Sequence, residues 1–183
     1  MFHIIHIKKS ARILFLLPAF LLMSMSPGTS QVDHDEYTLK ALFVFNFTKH
    51  IEWPAQLNPG DHFTISVYGN SPITEKLSAV AKGRKIFDKP IDIRETNKMD
   101  DLANSQIIFI TKEQSDKFPQ VLEKYKKKGI LFVTEMKNLA SKGSCINILE
   151  IDQKLSIELN DVAMKREGLK VSNQLYELAT VIR

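Results

Sequence analysis

The chain is poor in the residues that usually staple small domains or carry chemistry. It has one cysteine, Cys145, among 183 residues. No disulfide can form within it, so a hydrophobic core must hold it together. Cys145 stands in the apolar run "CINILEI", where a small buried hydrophobe is expected and pairing with a second chain is the alternative. The seven glycines form neither a Gly-x-Gly-x-x-Gly fingerprint nor a phosphate loop, and there is no Gly-x-Ser-x-Gly elbow. Beyond residue 30 the histidines are His34, His50 and His62, scattered and without partners at metal-ligand spacing. Asp100-Asp101 reads as the start of a helical turn. No catalytic residue, metal site or cofactor is expected.

Charge of one sign is also lacking. The chain has 25 basic and 21 acidic residues, and three of the basic ones lie in the first thirty positions, which hold no acid. The remainder is nearly balanced, which argues against a nucleic-acid footprint. The densest basic run, "KYKKKG" from Lys124 to Gly129, falls where a helix should end and complements its dipole. Long apolar runs are absent as well. "ILFLLPAFLLM", Ile13 to Met23, is too short to span a bilayer, which takes about twenty residues. Preceded by Lys8, Lys9 and Arg12 and followed by "SMSPGTSQ", it reads as a secretory signal peptide over residues 1–30. Gly28 and Ser30 suit cleavage between Ser30 and Gln31. That leaves residues 31–183 as one exported domain with no membrane span.

What is present is an alternation of helix and strand signals. A helix of about five turns runs from Asp35 to Trp53. The alternating "HFTISVYG" reads as a strand, and Ser71-Pro72 start a helix that Gly83 closes. "PIDIRE", "SQIIFIT" and "ILFVTE" are strands, the last two apolar enough to be buried on both faces. An amphipathic helix runs to a stop at Gly129. "CINILEI" and "KLSIELN" form a hairpin about Asp152-Gln153. "DVAMKREG" and "SNQLYELATVI" are helices, the first ended by Gly168 and the second capped by Ser172. The expected fold is a three-layer α/β domain. Its sheet is mixed and mostly parallel, flanked by helices, with an antiparallel hairpin near the C-terminus. The turn Gly69-Asn70-Ser71, beyond a strand end, is a candidate ligand turn.

Two blocks of residues resemble the YfiR/HmsC-like family of bacterial periplasmic proteins. The first is "LKALFVFNFTKHIEWP", carrying Lys40, Ala41, Phe43, Asn46, Phe47, Lys49, Trp53 and Pro54. The second is the closing half, with Gly143, Ile146, Asn147, Glu158, Asn160, Gly168, Leu169, Ser172, Leu175 and Ala179. Ser144, Cys145 and Ile148 depart from the family pattern. The resemblance implies a non-enzymatic periplasmic regulator. Such a protein binds the periplasmic part of a membrane-bound signalling protein, a diguanylate cyclase or a sensor kinase, and acts in cyclic di-GMP signalling and biofilm formation. The alternatives are a small-ligand-sensing module and, least favoured, an exported enzyme. Family members that rely on disulfides are no guide to a chain with one cysteine.

The first block is apolar nearly all round its helix, so it must be covered on more than one side. Either the C-terminal helix, with Leu175, Leu178, Ala179 and Ile182, covers it, or part of it is a signalling or homodimer interface. Lys40, Phe43, Asn46, Phe47, Lys49, Trp53 and Pro54 are thus interface candidates. Asn46 is expected to bond a backbone group of a neighbouring element. Gly143, Asn147, Asn160, Gly168 and Ser172 are expected to hold the fold.

Overall fold

The computed structural model describes residues 30–55, 60–152 and 154–183, with side chains from Glu36 onward. The signal-peptide reading falls on residues outside this range. Helix α1 (Ser30–His50) leads into a two-residue strand β1 (Ile51–Glu52), then β2 (Phe63–Tyr68), α2 (Ile73–Ala81), β3 (Lys85–Ile86) and β4 (Lys89–Thr96). A 3-10 turn (Met99–Leu102) precedes β5 (Ile107–Ile110), and a second one (Lys112–Lys117) runs into α3 (Phe118–Tyr125). Strands β6 (Leu131–Thr134), β7 (Ile146–Ile151) and β8 (Lys154–Asn160) follow. The chain ends with α4 (Asp161–Arg166), β9 (Lys170–Val171), α5 (Asn173–Leu178) and β10 (Thr180–Ile182).

The main sheet has eight strands in the order β10-β8-β7-β6-β5-β2-β4-β3. β4, β2, β5, β6 and β7 run parallel. β7 and β8 form the expected antiparallel hairpin, Ile146 opposite Leu159 and Ile151 opposite Lys154. The sheet is therefore mixed and mostly parallel, and the chain is of the α/β class. Every residue of β5 and β6 is buried, as the continuous apolar runs require of strands covered on both faces, and so, despite its alternating sequence, is every residue of β2. No residue of β4 is fully buried: Ile91, Asp92 and Ile93 are half-buried and Arg94 and Glu95 exposed, as suits a strand near a sheet edge.

Three element boundaries differ from the sequence reading, the first two because a tertiary partner outbids local propensity. The first helix stops at His50 rather than Trp53, since Ile51 and Glu52 pair antiparallel with Val171 and Lys170. Ser172 N–H then donates to His50 O at 2.9 Å. The last helix stops at Leu178. Thr180–Ile182, β-branched throughout, becomes β10 and pairs parallel with Glu158 to Asn160 of β8. The third helix ends at Tyr125, before Gly129, with Lys127 and Gly129 both at positive φ (62° and 73°). Strand β3 was not anticipated. It closes a two-residue turn at Phe87-Asp88, with φ of 51° and 59°. Both positive values belong to the twisted hairpin turn normally announced by Asn-Gly.

Candidate functional site

Helix α1 divides its surface sharply. Ala41, Val44, Phe45, Phe47 and Ile51 beyond its end are buried in the core. α2 provides the main cover and α5 a smaller one. The expected cover by the C-terminal helix is thus only partly made. Leu175 is buried, whereas Leu178 is 67% exposed and Ile182 lies on a strand. On the opposite side, at spacings of three and four residues, a stripe of Leu39, Leu42, Phe43, Asn46 and Lys49 faces outward. Leu39 is 49% and Leu42 38% exposed. Phe43 is half-buried and stacks on Phe47 with ring centroids 6.4 Å apart. Asn46 is half-buried, and its carboxamide makes no hydrogen bond to any described residue. The expected tie to a neighbouring backbone is not formed among the described residues, where Asn46 shares the outward stripe with exposed Leu39 and Leu42.

Lys40 points the other way. Its side chain is 6% exposed and its ammonium pairs with Glu36, one turn earlier, and with Glu135 Oε2 at 2.6 Å. Glu135 follows β6, and its Oε1 accepts from Lys112 N–H, just past β5, at 2.9 Å. This ion cluster therefore pins α1 to the carboxyl ends of two central strands. Burial alone would depress the Lys40 pKa. Glu135 and then Glu36 outweigh it and hold the ammonium above the ordinary lysine range. Beside the cluster lies a cavity of about 520 Å³, lined by Tyr37, Lys40, Glu135, Met136, Leu149 and Glu150 among others.

Trp53-Pro54 anchor the other end of the motif. The Trp53 ring meets Phe63 edge-on at 5.4 Å and Phe87 at 6.0 Å. Pro54 packs against Gly168, where a Cβ would come within 3.1 Å of Pro54 Cγ. Gly168 has φ +69° and terminates α4, so both space and conformation call for glycine there.

The remaining closing-half residues are occupied within the fold. Asn147 is fully buried. Its Oδ1 accepts from Thr134 Oγ1 at 2.7 Å, and its Nδ2 donates to Met136 O (2.9 Å) and Glu158 Oε2 (2.8 Å). Asn160 caps α4: Oδ1 accepts from Ala163 N–H at 2.8 Å and Nδ2 donates to Ala140 O at 2.7 Å. Ser172 caps α5 and lies 3.2 Å from His50 Nδ1. Gly143 lets Arg166 approach, and Arg166 Nη2 donates to Gly143 O at 2.9 Å. Ser144, one of the departures from the family pattern, is buried among Thr134, Phe132 and Ile146. Burial pushes the Cys145 thiol up to about 12. Fully covered, it is out of reach of a second chain, which removes the intermolecular disulfide left open by the sequence.

Gly69-Asn70-Ser71 lies at the point where strand order reverses, β4 on one side of β2 and β5 on the other, the usual crevice of open α/β sheets. A Cβ at Gly69 would collide with Thr111 Oγ1, so the turn packs directly on the residue that follows β5. The Ser71 N–H and the Thr74 hydroxyl both donate to Glu95 Oε2. An internal carboxylate already holds the place an anion would take. Asn70 is exposed. No group of three or more His, Cys, Asp or Glu among the described residues is placed to hold a metal ion, and no described helix is long and apolar enough to cross a membrane.

Two solved structures share this fold. One is the ABC domain in complex with L-Trp from Streptococcus pneumonia (11% identity, TM-score 0.54, 79% of this chain and 60% of that one). The other is a conserved domain protein from Vibrio cholerae O1 biovar El Tor (9% identity, TM-score 0.54, 80% and 60%). The chain thus spans about 60% of the length of each, and at such identity the likeness concerns the fold alone. None of the curated proteins matches it in sequence. The sequence profile of the YfiR/HmsC-like family matches residues 37–180, which takes in both blocks and the strands between them. The chain therefore belongs to the YfiR/HmsC-like family, a regulatory, non-catalytic family of periplasmic proteins in cyclic di-GMP signalling.

Proposed function

We propose that the protein is a non-enzymatic periplasmic regulator whose outer α1 stripe docks on the periplasmic part of a membrane-bound diguanylate cyclase or sensor kinase. The carrying observation is the stripe itself. Leu39 and Leu42 are exposed, and beside them Asn46 has no hydrogen-bond partner among the described residues. A partner groove would cover the two leucines and supply a mate for the carboxamide, the arrangement of an amphipathic helix read by a groove. Binding that favours the partner's inactive state shifts its population and lowers output. The chain reaches this compartment through removal of residues 1–30, a step that N-terminal sequencing of the exported protein reads directly.

The test is a Leu39→Asp/Leu42→Asp variant expressed in place of the natural chain. Its circular dichroism and unfolding midpoint should match the parent. Cellular cyclic di-GMP should rise to the level of a gene deletion. A deletion that leaves cyclic di-GMP unchanged removes the cyclase version and points to a kinase. If the deletion raises cyclic di-GMP while the variant keeps parental levels, the stripe is not the interface.

A second reading, small-ligand sensing, is favoured by the cavity beside Lys40 rather than by the turn at Gly69. Its size is that of ordinary ligand sites, about 300–1,000 Å³, and it reaches α1 directly. A thermal-shift screen of metabolites, repeated on a Leu149→Trp variant that fills the cavity, distinguishes occupancy of this space from binding elsewhere.

A further inference from the structure

Strand β4 has eight residues, but its outer neighbour β3 has two and pairs only with Lys89 and Pro90. Backbone groups of successive residues alternate in direction along a strand. Thr96 O accepts from Gly69 N–H, on the β2 side, at 3.0 Å, while Lys89 faces Ile86 across the hairpin. Ile91, Ile93 and Glu95 therefore turn their N–H and C=O groups to the open side, where no described strand stands.

Alongside this edge runs a groove of about 380 Å³ between the end of α2 and β4. Its floor is Ala81, Ile91 and Ile93, and its rim carries Lys82, Arg84 and Lys85. The three cations are exposed, and none belongs to an ion pair among the described residues. Arg84 lies over the Phe45 ring at 4.8 Å and Lys49 over the same ring at 5.4 Å, which adds a fourth positive charge nearby. Edge strands are ordinarily guarded by charge, proline or bulges. Here Pro90 guards only the end that β3 already covers. Asp92 and Arg94, one strand face away from the groove, neutralise each other at 2.6 Å.

We propose that the open edge of β4 binds an extended, acidic segment of a partner protein by strand addition. The segment's backbone pairs with Ile91, Ile93 and Glu95, an apolar side chain enters the groove, and its carboxylates meet Lys82, Arg84 and Lys85. Apart from the nearby charge of Lys49, this site shares no residue with the α1 stripe, and it stands or falls without it.

The test uses the purified protein and a fluorescein-labelled peptide with a Val-Thr-Val-Thr-Val centre flanked by glutamates, read by fluorescence polarisation. Ile93→Pro removes an N–H that faces the open side and takes no part in the β2 ladder. It should weaken binding roughly tenfold with the unfolding midpoint retained. Lys82→Glu/Lys85→Glu, both surface changes, should weaken it at least as much, as should backbone N-methylation of the peptide's central residues. The proposal is overturned if the peptide does not bind, if the N-methylated peptide binds as tightly as the parent, or if a peptide with lysines in place of the flanking glutamates binds equally well. It is also overturned if sedimentation shows a dimer that Ile93→Pro abolishes, for then a second copy occupies the edge.

Discussion

The two family blocks use their polar residues in opposite ways. In the closing block, Asn147, Asn160 and Ser172 are all engaged by hydrogen bonds inside the fold. In α1, Lys40 is engaged in the same manner, but Asn46 makes no such bond among the described residues, and it lies one turn beyond exposed Leu42. A motif residue whose bonding capacity is filled within the chain accounts for itself as architecture, because an unfilled buried group would cost about 1–3 kcal/mol. One left unfilled at a surface is free to act on something else. The comparison therefore divides one motif into a structural side and an available side.

The sharpest way to break that division is to attack the structural side. Lys40→Ala should destabilise the protein by about 3–5 kcal/mol, the usual cost of leaving a buried carboxylate without its partner. Urea unfolding followed by tryptophan fluorescence measures it. The pH dependence has a definite sign. The folded pKa of Lys40 is raised, so its stabilisation is fully present below the ordinary lysine value of about 10.4. It is lost as pH rises through the higher folded value. The gap between wild type and Lys40→Ala should therefore hold constant from neutral pH to about 10 and shrink above it. A gap that already shrinks at neutral pH would contradict the raised value.

A smaller effect is expected at Asn160→Ala, about 1–2 kcal/mol from loss of the α4 cap, read from the same unfolding curves. Smaller still is Asn46→Leu, within about 0.5 kcal/mol of wild type as for surface changes elsewhere, yet with cyclic di-GMP control altered in cells. A loss above about 2 kcal/mol, outside that range, would place Asn46 with the structural residues and erase the comparison. Cys145 closes the series. With its thiol pushed up to about 12 and fully covered, the folded protein should leave Ellman's reagent unconsumed at pH 8 and react only when urea opens the core.

Much of the fold was legible because its signals were local and strong. The unbroken apolar runs of β5 and β6 could only be strands covered on both faces, and Asp152-Gln153 marked the β7–β8 hairpin. Ser71, Ser172 and Gly168 marked helix ends through their own backbone preferences. β3 was illegible because Phe87-Asp88 carries no turn signature. The conversion of Thr180–Ile182 into β10 depended on an open edge of β8 that no local pattern announces. The candidate site was legible as a set of motif positions but not as a surface. Helical spacing groups Leu39, Leu42, Phe43, Asn46 and Lys49 on one face, yet hydrophobicity circles the helix, so no periodicity said which arc was covered.

By itself, the sequence determined that this chain must live on a hydrophobic core, that the core is built on an α/β sheet, and that its motif blocks are those of one family. These follow from composition, period and residue identity, which are properties of a chain. Only the tertiary structure decided that Lys40 is buried while Asn46 is half-exposed, that Gly69 backs onto Thr111, and that β4 leaves most of its outer edge unpaired among the described strands. Each of those depends on what lies across a gap from residues far away in sequence, and burial and hydrogen bonding are properties of neighbours.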